Sequence, residues 1–418
     1  MNHSSIQLNG VSYAWPRRPV VVVCIDGGDP AYIEQGLRDG IIPNIAGYMR
    51  DGFQAVAEGT VPSFTCPNNM SLITGAPPSV HGISGNYYLD VASGEAVVMT
   101  GPELLRSRTI LAEFADAGAK VVSITAKDKL RKQLGKDLDL TRGNISFSAE
   151  KADQCSLAEN GIENVLDFVG MPQPDMYSME LSLFVLEAGI RLLQRDRPDL
   201  MFLSLTDYIQ HKHAPGDPVA NEFYRRIDDA FGRLAELGAI VALTADHGMN
   251  DKSGVDGKPN VIFLQDILDR AFGPGATRVI CPITDAFVKH HGALGGFVRV
   301  WCLNEQATPA AIIDLIKDLP GIAEALDKPT ACRRFELPAD REGDVVVLGE
   351  ANVVIGAAES EHDLSTLGDF RLRSHGALSE ARVPFILSHS LNPAYRQRAL
   401  ATPLKSHQIF DYAINGVA

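Results

Sequence analysis

The sequence predicts an α/β protein: a doubly wound, mostly parallel sheet with a smaller α+β cap insertion. Three observations carry the fold class. Continuous β-branched runs such as "PVVVVCI" (19–25), "KVVSIT" (120–125) and "AIVALTAD" (239–246) read as strands buried on both faces. They alternate with amphipathic helical patterns, as crossover connections between parallel strands require. After about residue 265 the texture changes to a β-β-α pattern, which marks a smaller α+β unit inserted into the core.

Taken in order, "PVVVVCI" is the first central strand, and Asp29-Pro30 after it is a helix cap followed by a first-turn proline. "KVVSIT" is a strand leading into "KDKLRKQLG". "LSLFVLEAGIRLLQRD" (181–196) is a helix and "DLMFLSLTD" (199–207) a strand. "VANEFYRRIDDAFGRLAELG" (219–238) is a helix before the strand at 239–246. In the inserted unit, "AFVKHHGALGGFVRVWCL" (286–303) reads as a hairpin with a glycine-rich turn, and "TPAAIIDLIKDLPG" (308–321) as a helix. "DVVVLGEANVVIGA" (344–357) and "VPFILS" (383–388) then bring the chain back towards the core sheet. The expected division is 1–265 and 344–418 for the core and 266–343 for the cap.

The composition is 45% hydrophobic and 22% charged over 418 residues, so a sizeable core can form. A net charge of −14 excludes a general nucleic-acid binder. The six cysteines include no C-x-x-C pair, which fits free thiols in a reducing compartment. The start lacks the pattern of a signal peptide, and no run reaches the ~20 apolar residues of a membrane span. The expectation is a cytoplasmic protein with no membrane or nucleic-acid partner. Oligomeric state is left open, a homodimer included.

The stretch "GTVPSFTCPNNMSLITG" (59–75) places Thr65 where a helix begins. By itself that reads as a helix cap. A hydroxyl at a helix start also faces free backbone N–H groups and suits attack on a phosphoryl group. In open α/β sheets, ligands sit beyond the carboxyl ends of the strands. There the sequence puts Asp26, then Asp207 and His211, then Asp246 and His247, with His375 in a later loop. Each alone is an ordinary turn or surface residue. Together, Asp and His in this number can build two adjacent sites for Zn²⁺, or for Mn²⁺ or Fe²⁺. His213, His290 and His291 read as ordinary loop residues.

"DGG", "PSFTCPNNMSLITG", "HGISGN", the D-x-x-x-H pair, "ADHGM" and "SHG" occur in the order used by the alkaline phosphatase superfamily. The chain resembles its nucleotide pyrophosphatase/phosphodiesterase branch. Within that branch, "TAKDKL" (125–130) is similar to enzymes that hydrolyse phosphonoacetate. The resemblance implies Thr65 as nucleophile and two Zn²⁺ ions. One would be held by Asp207, His211 and His375, the other by Asp26, Asp246 and His247 with Thr65. It implies Asn86 as a phosphoryl-oxygen donor, and His211 close to the substrate. Cys66 departs from the aromatic residue that many phosphodiesterases carry there, which weakens a nucleotide-cleaving assignment.

Lys127 and Lys129 flank Asp128 at a predicted strand end, where spacing by two puts both ammonium groups on one side of an extended segment. Outside this setting they would be a solvated loop. Beside a dinuclear site they suit a small phosphonate with a second anionic group, and cations on its carboxylate would stabilise an enediolate leaving group. The alternatives are a phosphodiesterase or phosphate-monoester hydrolase of the same superfamily, more remotely a cofactor-independent mutase, and a catalytically inactive metal-binding scaffold.

Overall fold

The structure is a computed structural model and describes residues 5–90, 92–99, 101–284, 291–368 and 370–418. Its centre is a seven-stranded sheet. Across it, the order is Phe53–Glu58, Arg382–Leu387, Ile240–Thr244, Val20–Cys24, Leu200–Ser204, Val121–Thr125 and Ile145–Ser148. From Ile240–Thr244 to Ile145–Ser148 every neighbouring pair is parallel. Arg382–Leu387 runs against both of its neighbours.

Period-two alternation sorts the strand side chains into two cores. Val21, Val23, Met201, Leu203, Val241 and Leu243 face the helices at 180–196 and 218–236. Val20, Val22, Cys24, Leu200, Phe202 and Ala242 face the other way, towards the helix Thr65–Thr74. The first strand is followed by the helix Pro30–Arg38. There the Asp29 side chain accepts from Ala31 N, so the cap expected from Asp29-Pro30 forms. Among the described residues no helix is long and apolar enough to cross a membrane.

The second unit has its own four-stranded sheet, ordered Thr277–Ile280, Phe297–Cys302, Val345–Gly349, Ile322–Asp327. It corrects three expectations. The hairpin drawn within 286–303 is instead formed by Phe297–Cys302 with the earlier strand Thr277–Ile280. Residues 285–290, His290 among them, lie outside the described residues. Val345–Gly349, expected to return the chain to the core, is an inner strand of the second sheet and pairs on both sides. The helix expected over 308–321 is shorter, Pro309–Ile316, capped by the Thr308 side chain.

The two units share side chains. Val61, Phe64 and Ala381 come from core loops yet are buried in the apolar core of the second unit. Phe64 immediately precedes Thr65, and Ala381 follows the loop of His375. Packing of the second unit therefore fixes the two loops that meet at the sheet's carboxyl edge.

Candidate active site

The six Asp and His residues expected as metal ligands are buried, and they form two groups. Asp207, His211 and His375 offer ligand atoms within 4.8 Å of one another, and so do Asp26, Asp246 and His247. Asp26 follows the strand Val20–Cys24. Asp207 is the N-cap of the short helix Tyr208–Lys212, so His211 lies one turn on along the same face. The two groups touch through the rings of His247 and His375, stacked with centroids 3.5 Å apart.

Glycine lets these loops approach. Gly27 has φ +68°, and a Cβ there would stand 3.1 Å from Asp207 Cβ. Gly376, at φ +119°, passes so close to the Phe64 ring that a Cβ would overlap it. That contact leaves Phe64 edge-on to His375, centroids 5.7 Å apart.

The hydrogen bonds of the three histidines select one tautomer. His211 Nδ1 is 2.8 Å from Arg373 O, His247 Nδ1 2.8 Å from Gly248 O, and His375 Nδ1 2.7 Å from Ser63 O. A carbonyl only accepts, so each Nδ1 carries the proton and each Nε2 is left to face the carboxylates. This is the arrangement metal-ligating histidines use. It separates them from histidines that merely satisfy a core.

The electrostatics agree. Burial pushes the Asp246 carboxyl well up, and Asp26 and Asp207 add to it against the opposing pull of His247. Burial alone would lower His247, but with no cation bound Asp246, Asp26 and Asp207 outweigh it and raise the ring to about 10, through a second proton on Nε2 that a bound cation would displace. His375 is driven well below the usual histidine range by burial and by the neighbouring His247 and His211. Three buried carboxylates in one pocket need positive charge, and among the described residues Asp26 Oδ1 accepts no hydrogen bond, facing His247 Nε2 at 3.2 Å. The donor set fits two divalent cations.

Thr65 differs from the capping reading. The helix starts at Thr65 itself, its N-cap is Phe64, and no side chain caps it. The Thr65 hydroxyl instead lies 3.3 Å from His247 Nε2. The two asparagines that follow have separate tasks. Asn68 binds the backbone of Thr60, Pro62 and Phe64, which shapes the approach to Thr65. Asn69 donates to Thr65 O and to Asp246 Oδ2 and accepts from Ser204 Oγ, so the helix of Thr65 also orients a ligand carboxylate.

Lys127 and Lys129 are not on one extended segment. Lys127 is the N-cap of the helix Asp128–Leu134, and Lys129 is in its first turn. Lys127 Nζ reaches Asp207 Oδ1 at 3.4 Å. Asp128 between them turns away. Burial would raise its carboxyl, but bonds from Arg131, Ser148 and Lys151 outweigh this and hold it low. Asn86 is buried, and its amide donates to Ile283 O at 3.1 Å.

Sequence reasoning missed several supports. Lys252 and Glu380, both fully buried, pair at 2.9 Å and join the loop after His247 to the loop after His375. Asn250 and the backbone N–H of Ala377 also bind the Glu380 carboxylate. His291, read as an ordinary loop residue, is buried and stacks on His211, centroids 5.3 Å apart. Asn69 had a signal, since it lies four residues after Thr65. A buried Lys–Glu pair distant in sequence has none.

The model of the family described as type I phosphodiesterase / nucleotide pyrophosphatase matches residues 20–376. The chain belongs to that family. The type I phosphodiesterase match takes in both ligand groups, from Asp26 to His375, and the second unit between them. Phosphonoacetate hydrolase of Sinorhizobium meliloti, solved with phosphonoacetate and with phosphonoformate, is 45% identical. The alignment covers 100% of both chains with a TM-score of 0.94. An uncharacterised pyrophosphatase/phosphodiesterase of Schizosaccharomyces pombe is 23% identical over 291 residues, 66% of this chain and 51% of that protein. A phosphonoacetate hydrolase of Penicillium oxalicum is 71% identical over 28 residues, 7% of this chain and 39% of that one. The chain thus spans about half, or less, of the length of these last two relatives.

Proposed function

We propose that this family member hydrolyses the carbon–phosphorus bond of phosphonoacetate to acetate and phosphate, through a phosphothreonine at Thr65, with two Zn²⁺ ions held by the two ligand groups. One observation carries the reading. The Thr65 hydroxyl, not spent on capping, lies beside one ligand group, while the Lys127 ammonium reaches the other at Asp207. Hydrolysis of a simple ester needs only the first of these. A cation beside the second group suits a substrate with a second anionic end. The full-length likeness to the Sinorhizobium enzyme supports the same choice.

When bound, the cations would lower the pKa of a coordinated hydroxyl or water and neutralise phosphoryl oxygens. The chain's own groups account for the remainder. Thr65 Oγ attacks phosphorus, the P–C bond breaks, and its electron pair passes to the carboxymethyl group as an enediolate. Lys127 and Lys129 hold the carboxylate end while that charge builds. Protonation at carbon gives acetate. Water then attacks phospho-Thr65, the P–Oγ bond breaks, phosphate leaves and the hydroxyl regains its proton. The first turn of the helix Thr65–Thr74 adds backbone N–H groups that suit phosphoryl oxygens. The free state of all six cysteines supports a reducing compartment.

The test is phosphate release from phosphonoacetate, other phosphonates and nitrophenyl phosphate mono- and diesters, by protein stripped of metal and by the same protein reloaded with zinc. The expected result is highest kcat/KM on phosphonoacetate, lost on stripping and restored by zinc, with a phosphoryl adduct on Thr65 in acid-quenched samples. A diester as the best substrate would replace this reading with a phosphodiesterase.

A further inference from the structure

We infer that Gln133, together with Cys66, is a positioning residue that sets the spacing between the two lysines and Thr65, and so the length of phosphonate the site accepts. This rests on the proposed role of the lysines in holding the carboxylate.

Gln133 is fully buried in the last turn of the helix Asp128–Leu134. It lies four residues after Lys129 and therefore shares that lysine's face of the helix. Its amide is used in both directions. Oε1 accepts from the Cys66 thiol at 3.1 Å, and Nε2 donates to Met99 O at 2.7 Å and to Gly101 O at 3.0 Å. The orientation is forced, because a flipped amide would set its oxygen against two carbonyl oxygens.

The contacts lead to two parts of the site. Cys66 is fully buried and directly follows Thr65. Met99 N donates to Asn86 O at 2.8 Å, so the contact to Met99 supports the backbone of the expected phosphoryl-oxygen donor. One side chain thus ties the lysine helix to the nucleophile helix and to the segment carrying Asn86. The other end of the lysine helix is fixed independently: Asp128 N donates to Glu150 Oε2 at 2.7 Å, and Ser148 Oγ donates to Asp128 Oδ1 at 2.9 Å. At the Gln133 end the lysine helix bonds directly to the residue next to Thr65. A substrate that bridges lysines and nucleophile depends on that distance. An ester that meets Thr65 alone does not. Misplacement of reacting groups by ~1 Å can cost about 10²-fold.

The experiment uses the full-length, zinc-loaded protein and compares kcat/KM for phosphonoacetate, 3-phosphonopropionate and nitrophenyl phosphate, with zinc content and melting temperature measured on each variant. Gln133→Leu should lower the ratio of phosphonoacetate to ester activity by about tenfold or more, and narrow the preference for phosphonoacetate over its longer homologue. Cys66→Ala should do the same more weakly, and Cys66→Ser, which keeps a donor to Oε1, should restore the ratio. In a Lys129→Ala background, Gln133→Leu should change the ratio by less than about twofold, because its effect passes through the lysine. A Gln133→Leu protein that loses both activities in parallel, or neither, overturns the inference, as does full additivity with Lys129→Ala. If Gln133→Leu does not fold, Cys66→Ala against Cys66→Ser decides by the same ratio. If Lys129→Ala and Lys127→Ala leave the ratio unchanged, the carboxylate role of the lysines fails first, and the positioning role falls with it.

Discussion

Replacing Thr65 by alanine separates catalysis from architecture, because the structure predicts opposite sizes for the two effects. Were Thr65 a helix cap, its loss would cost about 1 kcal/mol. Here the N-cap is Phe64, and the Thr65 hydroxyl bonds no backbone N–H of the helix. What alanine removes from the fold is a half-buried methyl group, worth roughly 0.5 kcal/mol at ~0.8 per fully buried carbon. What it returns is helix propensity, about 0.5 kcal/mol for threonine to alanine. The two offset, so the urea midpoint should stay essentially in place. Turnover should fall by about 10⁴-fold or more, the scale on which the loss of a covalent nucleophile is felt. The assay is phosphate release on metal-replete protein, with zinc counted per chain and the unfolding curve measured alongside. A folded, metal-replete variant with more than about a tenth of wild-type turnover would refute the nucleophile assignment. A loss of stability above about 1 kcal/mol would show that the hydroxyl is a cap after all.

Three further outcomes follow from the site and the core. Metal analysis should find two tightly held ions per chain. Asp207→Ala or His375→Ala should empty one site and Asp246→Ala or His247→Ala the other, since each residue belongs to only one ligand group; fewer than one ion in the wild type would end the dinuclear reading. Lys127→Ala with Lys129→Ala should cut phosphonoacetate turnover by about 10²-fold or more, from charge-assisted bonds of roughly 1.5–3 kcal/mol each, and spare a nitrophenyl ester. Parallel loss on both substrates would assign the lysines to the phosphoryl group or the fold. Burial, helped by His407, pushes His81 down to about 3, and its ring is held by Ser71 Oγ and by the N–H of Ile83. Its folded pKa lies below the unfolded value of about 6.5, so the unfolded chain binds more protons between the two. That stability is complete above pH ~6.5 and is lost as pH falls towards 3. His81→Gln should flatten the fall of the urea midpoint across this window; an unchanged slope would show that His81 does not titrate with unfolding.

The central strands were legible because a strand buried on both faces must be apolar along its whole length, as Val20–Cys24 is. The edge strand Phe53–Glu58 was not, because it is buried on one side only and its sequence, "FQAVAE", has no such run. The candidate metal ligands were legible because Asp26, Asp207 and Asp246 stand just past the ends of apolar strands, and Asp26, His247 and His375 sit next to glycines. Gln133, Lys252 and Glu380 were not, since nothing near them in the chain indicates which partner they meet.

By itself the sequence determined the fold class, the chemistry of the ligands and their placement at strand ends, since these follow from local hydrophobic pattern and residue type. Tertiary structure decided the rest. "DVVVLG" and "PVVVVC" are equally apolar, and only packing sends Val345–Gly349 to the second sheet and Val20–Cys24 to the first. Whether Thr65 caps its helix or stands just inside it turns on one residue of helix start. That start is fixed by burying Phe64 in the second unit, more than 200 residues further along the chain. Local preference cannot set such a point, because the free energy that sets it comes from contacts that exist only once the chain has folded.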